Sequence, residues 1–456
     1  MIRRTSSGRP WTAAVIPLTA VLLFFLPAFS VFAQVLPAAI ELPHGIRIEP
    51  VLTAQVRSYY YGSEPIRASY CLENSEGDCL KEGENLFLDV VSTFTVNRRL
   101  VLQYDGQVPQ TFTDGNSDSN YRTKKAFAKL RTGIVSWEFG KDSVWIGNGY
   151  HGSFLLSNNA EGYLLFKIKT EEPFRLPWVF SKIGAFNYLL FHGWMEDGRL
   201  FGHRLEYQPF FPVTIGLSQT VYYVNRFQFY EFPRILSARD ENTPGRFDND
   251  QRASMDLAID LSFLRRFSPF IGGKLYGEQA GEDLRAFWQR NQNDSPLWPL
   301  GFKLLDLGNM AGLFLTTGWT DFRFEYSENY SGEGTWYEKY PFTNHGVLLG
   351  HHMGSDADDL FFEIAQRWTA WGKEGDVRVS YDRERHGIFQ YGSDAEVRNQ
   401  FALIPSVQWG CLRLFAQMIY ARYTNVDMNP DPLQFDIVPG THRNEYTVGV
   451  GVRVRE

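Results

Sequence analysis

Residues 254–263 read SMDLAIDLSF and alternate strictly between apolar and polar side chains. Successive side chains of a β-strand point in opposite directions, so Met255 and Leu257 fall on one face and Asp256 and Asp260 on the other. In a soluble sandwich the apolar face would meet a second sheet. In an outer-membrane barrel it would face lipid, and the small and acidic side chains would line the lumen.

Three further segments show the same period of two: TDFRFEYSE at 320–328, DVRVSYD at 376–382 and EYTVGVGVRVRE at 445–456. In the last segment Arg453 and Arg455 share the face opposite the valines. An unpaired buried charge is costly, so two inward arginines fit a polar lumen better than a dry core. The alternation therefore favours a transmembrane barrel.

The N-terminus has the pattern of a secretory signal. Arginines precede the apolar run AVLLFFLPAF at 20–29, and Val31-Phe32-Ala33 forms a cleavage box. We predict a signal peptide over 1–33 and one barrel domain over 34–456, with 34–45 as a periplasmic lead-in. No later apolar run approaches the roughly 18–20 residues of a spanning helix. An exported chain without such a helix is either soluble or a barrel, and the period of two favours the barrel.

Loop lengths give the size of the barrel. Residues 264–269 make a short turn, whereas 283–300, 328–345 and 424–445 are long and polar with many aromatics. Short turns at one end and long loops at the other are typical of outer-membrane barrels. About 20–24 residues per strand then predict about 18 antiparallel strands, with roughly 16 to 20 left open. We expect inner loops to plug the lumen.

Composition agrees with a folded, exported chain. Trp, Tyr and Phe make up 16% of the 456 residues, which argues against disorder. The formal net charge of −7 gives no general attraction to nucleic acid, so none is expected as a partner.

Few residues in the sequence suggest covalent or metal chemistry. Cys71 and Cys79 flank a polar loop and form either a disulfide or two reduced thiols. His351 and His352 are adjacent, and adjacent residues of a strand point to opposite faces. We therefore expect no metal site and no cofactor.

The most distinctive stretch is FGKDSVWIGNGYHGSFLLSNNAEGYLL at 139–165. It resembles the Wzi-type capsule assembly family of outer-membrane proteins. The matching positions are Trp145, Gly147, Gly149, Gly152, Ser153, Leu156, Ser157, Asn158, Asn159 and Ala160. Segments 200–220, 275–284, 322–332 and 349–360 resemble the same family in the same order.

This motif has the composition of a loop inside a barrel. Its glycines allow close approach of chains, and its asparagines supply amide donors and acceptors. It can act as a sugar-binding or plug-forming loop, or as a turn that fixes strand register.

The resemblance implies a non-enzymatic, lectin-like barrel in the outer membrane that assembles or attaches capsular polysaccharide or exopolysaccharide. It also implies outer-membrane lipid and lipopolysaccharide, the surface polysaccharide, the polysaccharide export machinery and the barrel-insertion machinery as partners. Aromatic rings stack on sugars, and basic groups pair with acidic ones. The candidate polysaccharide-binding residues are Arg285, Trp288, Arg290, Trp298, Trp336, Tyr337, Lys339 and Tyr340.

Two other functions are open to test. About 18 strands leave room for a pore, so the alternative is a channel for small solutes or oligosaccharides. An outer-membrane enzyme would need a nucleophile with an activating base. His151 and Ser153 are the nearest such pair, two residues apart on a presumed strand, and no acid partner is evident. We therefore expect no catalysis.

Overall fold

The computed structural model describes residues 40–42, 46–64, 69–113, 116–224, 249–266, 269–286, 302–329, 342–429 and 435–455. The predicted signal peptide lies outside the described residues. Part of the predicted lead-in is a strand, because Ile40–Leu42 pairs with the first residues of the strand that begins at Ile46.

Strands dominate the architecture. Within the described residues, the main sheet has 20 strands; two short ones, Ile40–Leu42 and Asn116–Ser119, are additions to a wall of 18 long strands. The wall strands are β1 Ile46–Glu64, β2 Gly83–Val96, β3 Leu100–Thr113, β4 Arg122–Thr132, β5 Val135–Asp142, β6 Tyr163–Thr170, β7 Ala185–Trp194, β8 Arg199–Phe210, β9 Val213–Tyr223, β10 Asn249–Asp260, β11 Gly272–Ala286, β12 Phe302–Thr316, β13 Thr320–Asn329, β14 Ala357–Ala370, β15 Lys373–His386, β16 Glu396–Trp409, β17 Leu412–Thr424 and β18 His442–Arg455.

The wall closes on itself. Each strand pairs antiparallel with its neighbour in sequence, and β1 pairs both with β2 and with β18, from Thr53 opposite Arg455 to Glu64 opposite Asn444. A closed barrel leaves no unpaired edge, which satisfies the backbone hydrogen bonds inside a bilayer. The predicted all-β antiparallel barrel of about 18 strands is confirmed.

The two ends of the barrel differ. The links after β2, β4, β8, β12, β14 and β16 are tight turns, and both ends of the described chain lie at this turn end. The segments after β1, β5, β9, β11, β13 and β17 emerge at the opposite end, the loop end, and most are long. Among the described residues, no helix is long and apolar enough to span a membrane.

The faces of the strands follow the predicted alternation. Leu257 is 43% exposed, whereas its neighbour Asp256 is 1% exposed; Phe324 is 41% exposed and Glu325 2%. Apolar side chains therefore point outward and acidic ones inward, as in a membrane barrel and unlike a soluble protein. Near the turn end, Arg453 is exposed, and its Nε donates a hydrogen bond to Oε1 of Gln55 at 2.7 Å.

We expect Phe324→Arg to lower the stability of the barrel in lipid vesicles, measured as the free energy of unfolding, by about 2–4 kcal/mol, because it places a cation in the apolar band. Urea titration in vesicles measures this. The matched control is Trp371→Arg, since Trp371 is 94% exposed at a turn. A cation near the membrane interface costs roughly 0–1 kcal/mol. Equal losses in the two variants would contradict the assignment of the lipid face.

Candidate functional site

Three segments from the loop end fold into the barrel, and together we call them the plug: residues 69–81, 143–162 and 342–356. The last two share one apolar core with side chains on the inner face of the wall. Its buried members include Val144, Ile146, Phe154, Leu155, Leu156, Phe342, Leu348, Leu349 and Met353. Burial of this surface draws the loops inward.

The Ser-Asn-Asn sequence of the motif joins the three plug segments. Ser157 Oγ donates a hydrogen bond to the carbonyl oxygen of Gly350 at 2.6 Å, and Asn159 Nδ2 donates to that of Leu348 at 3.1 Å. On the other side, the backbone nitrogen of Gly77 donates to the carbonyl oxygen of Asn159 at 2.9 Å. The motif therefore lies at the centre of the plug, with one neighbouring segment on each side.

Two glycines of the motif are required by close packing. A Cβ on Gly149 would overlap the carbonyl oxygen of Gly152. A Cβ on Gly152 would overlap the imidazole ring of His351. A larger residue at Gly152 would push residues 143–162 away from the segment 342–356, and one at Gly149 would disrupt the turn 149–152 and its contact with Met310 of the wall.

Glu325 fixes the plug to the wall. Its carboxylate, on the inner face of β13, accepts hydrogen bonds from the backbone nitrogens of Tyr150, His151 and Gly152 at 2.7, 3.1 and 3.2 Å. The hydroxyl of Tyr276 donates to the same carboxylate at 2.6 Å. Hydrogen bonds to a charged acceptor are stronger than neutral ones, so this is the strongest backbone anchor of the segment.

Asp78 fixes the segment 69–81 in a similar way. Its carboxylate forms ion pairs with Arg57 at 2.9 Å, Lys124 at 3.1 Å and Arg122. Burial alone would raise the pKa of Asp78, but these three cations lower it below its ordinary value. A disulfide between Cys71 and Cys79 closes the same segment into a hairpin.

A buried cluster of histidines and acids lies where the plug meets β14, β15 and β16; we call it the histidine cluster. His151 Nε2 lies 3.4 Å from Asp359 Oδ2 and 3.8 Å from Asp382 Oδ2. His352 Nε2 lies 3.3 Å from the same Asp359 oxygen and 3.5 Å from Glu384 Oε1.

Arg398 and Glu73 complete the histidine cluster. The Arg398 guanidinium contacts Glu73 at 2.5 Å and Glu384 at 2.7 Å, and it also pairs with Asp382. Glu73 Oε2 lies 3.7 Å from His151 Nε2. The cluster thus holds four carboxylates and one guanidinium around two imidazoles.

The two imidazoles have opposite pKa shifts. Burial by itself lowers the pKa of His151, but Asp382, Glu73 and Glu325 outweigh it and raise the pKa to about 9. Burial also lowers the pKa of His352, and there the nearby acids do not restore it. The histidine cluster therefore favours a proton on His151 and disfavours one on His352.

The histidine predictions from sequence are wrong in their geometry. His351 and His352 lie in the loop 342–356 and not on a strand, so both rings reach the same acid, Asp359. His151 and Ser153 do not share a strand either. Acids do surround His151, but Ser153 Oγ donates its hydrogen bond to the carbonyl oxygen of Ile146.

Below the plug, towards the turn end, the lumen contains a cavity of about 430 Å³. Tyr150 forms its boundary with the plug: its hydroxyl donates to Glu363 at 3.2 Å, and the Arg323 guanidinium lies 4.3 Å above its ring. Other charged residues of the lining are Asp321, Glu374, Asp376, Arg367, Arg378 and Arg413. The described plug segments therefore occupy the lumen on the loop side of this cavity, and the cavity itself lies at the turn end.

The predicted sugar-binding residues are not brought together by the described structure. Arg285 lies on β11, with its backbone opposite Lys303. The other seven lie outside the described residues: Trp288, Arg290, Trp298, Trp336, Tyr337, Lys339 and Tyr340. All eight belong to loop-end segments after β11 and β13 or to the strand end that leads into one.

The family described as "Capsule assembly protein Wzi" matches residues 64–407. The chain belongs to this family. The match includes most of the barrel and all three plug segments, and it confirms the resemblance seen in the motif. Membership together with the barrel fold places this Wzi-family protein in the outer membrane, as predicted. No curated protein matches the chain.

Solved structures similar to this chain include one that shares its fold. That structure is Wzi, described as an outer-membrane protein involved in group 1 capsule assembly in Escherichia coli and a carbohydrate-binding β-barrel; its TM-score is 0.59 at 14% identity, over 88% of this chain and 84% of that one. OpdL of Pseudomonas aeruginosa has a TM-score of 0.48 at 10% identity, over 90% of this chain and 99% of that one. OprD, also of Pseudomonas aeruginosa, has a TM-score of 0.45 at 10% identity, over 89% of this chain and 94% of that one.

We expect Glu325→Gln to loosen the plug, because its amide replaces one acceptor oxygen by a donor that faces backbone N–H groups. Each hydrogen bond to a charged group contributes about 1.5–3 kcal/mol, so losing one or more is a large local change. Hydrogen exchange of residues 150–152 should become faster, and conductance events should appear in planar bilayers.

The control for this prediction is Glu374→Gln, since Glu374 lines the cavity at the turn end. It should leave both exchange and conductance unchanged. Protection of residues 150–152 equal to that of the wild type in Glu325→Gln would show that this carboxylate is not the anchor.

Proposed function

We propose that this Wzi-family protein acts without catalysis in the assembly or attachment of capsular polysaccharide or exopolysaccharide at the outer surface of the cell. The observation that supports the proposal most directly is the plug. A family barrel whose loop-end lumen is filled by its own packed segments suits a surface-binding role better than a transport role.

The orientation of the barrel is consistent with this role. In outer-membrane barrels the short turns face the periplasm and the long loops face outside. The segments 287–301 and 330–341, which carry seven of the eight aromatic and basic candidates, follow strands that end at the loop end. They would present stacking rings and cations to a polymer outside the cell. Lipopolysaccharide would contact the outer wall, and the export and barrel-insertion machineries would be further partners.

A non-enzymatic role is supported by the state of the nearest nucleophile. Ser153 is fully buried in the plug, and its hydroxyl hydrogen bonds to a backbone carbonyl. A serine in this position lacks both access to a polymer and an imidazole to take its proton.

The channel alternative is less well supported. The cavity at the turn end is bounded by Tyr150 of the plug, and on the loop side of Tyr150 the plug core packs against the inner wall. A constitutive pore would need a continuous polar path, and buried residues such as Phe154 and Leu155 interrupt it.

Deletion of the protein in its own host should leave polymer synthesis intact and move polymer from the cell fraction to the medium. Sugar assay of the two fractions measures this. If retention is unchanged and uptake of small solutes falls, the barrel is a channel and the proposal fails.

Complementation tests the candidate surface. When the deletion strain is complemented with the variant that combines Trp336→Ala and Tyr337→Ala, we expect the barrel to be present in the outer membrane. That strain should retain little more polymer than the deletion strain, because the rings that stack on sugars are lost. The matched control is Trp371→Ala, which removes an exposed tryptophan at the opposite end. Full retention in the double variant would exclude this pair from the binding surface.

A further inference from the structure

The histidine cluster contains more negative charge than its own cations balance. Glu73, Asp359, Asp382 and Glu384 are four carboxylates, and one guanidinium, that of Arg398, contacts three of them. With His151 protonated, as its raised pKa favours, the excess is two negative charges in a buried volume, and His386, whose Nε2 lies 3.5 Å from Glu384 Oε2, offsets one of them only when it is protonated. Such an arrangement is costly unless a cation or protons compensate it.

Several polar atoms in this cluster also have no hydrogen-bond partner among the described residues. Neither ring nitrogen of His352 has one, although the side chain is only 5% exposed. The same is true of His151 Nε2, Asp359 Oδ1 and Asp382 Oδ1. Buried polar side chains are normally satisfied, so a convergent group of unsatisfied donors and acceptors indicates a bound species.

The spacing of these atoms fits a metal ion. A direct N–H···O hydrogen bond is about 2.7–3.2 Å long. Two atoms that bind one tetrahedral Zn²⁺ at about 2.0–2.1 Å are about 3.3–3.4 Å apart. His151 Nε2 and His352 Nε2 lie 3.4 and 3.3 Å from one oxygen of Asp359. One ligand atom from each of Glu73, His151, His352 and Asp382 also lies within 4.8 Å of the others.

His351 is excluded as a ligand by its hydrogen bonding. The backbone nitrogen of Met353 donates to His351 Nδ1 at 3.3 Å, so the neutral ring carries its proton on Nε2. That nitrogen, 3.9 Å from Asp359, then has no lone pair for an ion. His151 and His352 remain as the two nitrogen ligands.

We propose that the plug binds one divalent transition-metal ion of the Zn²⁺ type through His151, His352 and Asp359, with Asp382 or Glu73 as the fourth ligand. Imidazole ligands favour such ions over Mg²⁺ and Ca²⁺, which prefer oxygen ligands alone. On binding, the ion replaces any proton on the two imidazoles.

This ion would have a structural role. Glu73 belongs to segment 69–81, His151 to 143–162 and His352 to 342–356, whereas Asp359 and Asp382 belong to wall strands β14 and β15. One ion would therefore join segments 143–162 and 342–356 to the wall, and with Glu73 as the fourth ligand it would join segment 69–81 as well. The inference does not depend on what the surface loops bind.

The test uses the full-length protein, purified in detergent, stripped with EDTA and titrated with Zn²⁺ against a competing chelator. We expect about one Zn²⁺ per folded chain. Asp359→Asn and His352→Gln should each weaken binding by at least about tenfold. Ca²⁺ at the same concentration should not compete.

The matched control is His345→Asn. His345 is an exposed histidine of the same loop, paired with Glu196 at 2.9 Å. Its φ of 51° is one that asparagine tolerates. This variant should bind Zn²⁺ as the wild type does. Equal loss in His345→Asn would place the zinc at the surface and overturn the proposal.

Thermal melting distinguishes a variant that has lost the metal site from a variant that has failed to fold. Without metal, Asp359→Asn should be at least as stable as the wild type, because it removes one charge from an excess of negative charge. Zn²⁺ should raise the melting temperature of the wild type and not that of the variant. A folded, stripped wild type that neither binds Zn²⁺ nor gains stability from it would show that protons alone balance the cluster.

Discussion

Buried carboxylates at the boundary between the plug and the wall hold the plug in position. Glu325 accepts three consecutive backbone N–H groups of the plug, and Asp78 reaches from the plug to three cations of the wall. A buried charge is tolerated only with such partners. The plug is therefore held by a few charge-assisted contacts around a small apolar core.

The polar lumen and the apolar plug depend on each other. The alternation of the strands makes the inner wall acidic and basic, which by itself would favour a water-filled channel. The motif brings apolar residues such as Phe154 and Leu156 into that space, where they pack on Leu349 and Met353. Backbone groups of the motif then satisfy wall residues that would otherwise need water. This explains why a barrel of this size contains a packed interior.

Much of the fold could be predicted from the sequence, because period-two patterns such as 254–263 and 320–328 depend only on local geometry. The same pattern placed Glu325 and Asp382 on the lumen side. It could not show that they meet His151 and Gly152, since these residues are far apart in sequence and come together only when the barrel closes. The prediction for His351 and His352 is wrong for a related reason, because both residues lie in the inward loop 342–356 and not on a strand. The motif at 139–165 is recognisable as a family pattern, and so is the segment 349–360, but neither pattern shows that the two segments meet or that residues 76–77 join them.

The hairpin closed by Cys71 and Cys79 follows directly after β1, yet its contacts reach β16. The Tyr70 hydroxyl donates to Gln400 at 3.3 Å, and Glu73 pairs with Arg398, while Asp78 holds the same hairpin to β1 and β4. The junction of β1 with β18 lies between these two attachment points. The hairpin thus forms an internal cross-link over the junction where the first and last strands meet. Separating β1 from β18 would first require the hairpin to lose its contacts on one side of the junction. The closure of the barrel between its first and last strands is therefore stabilised from inside the lumen.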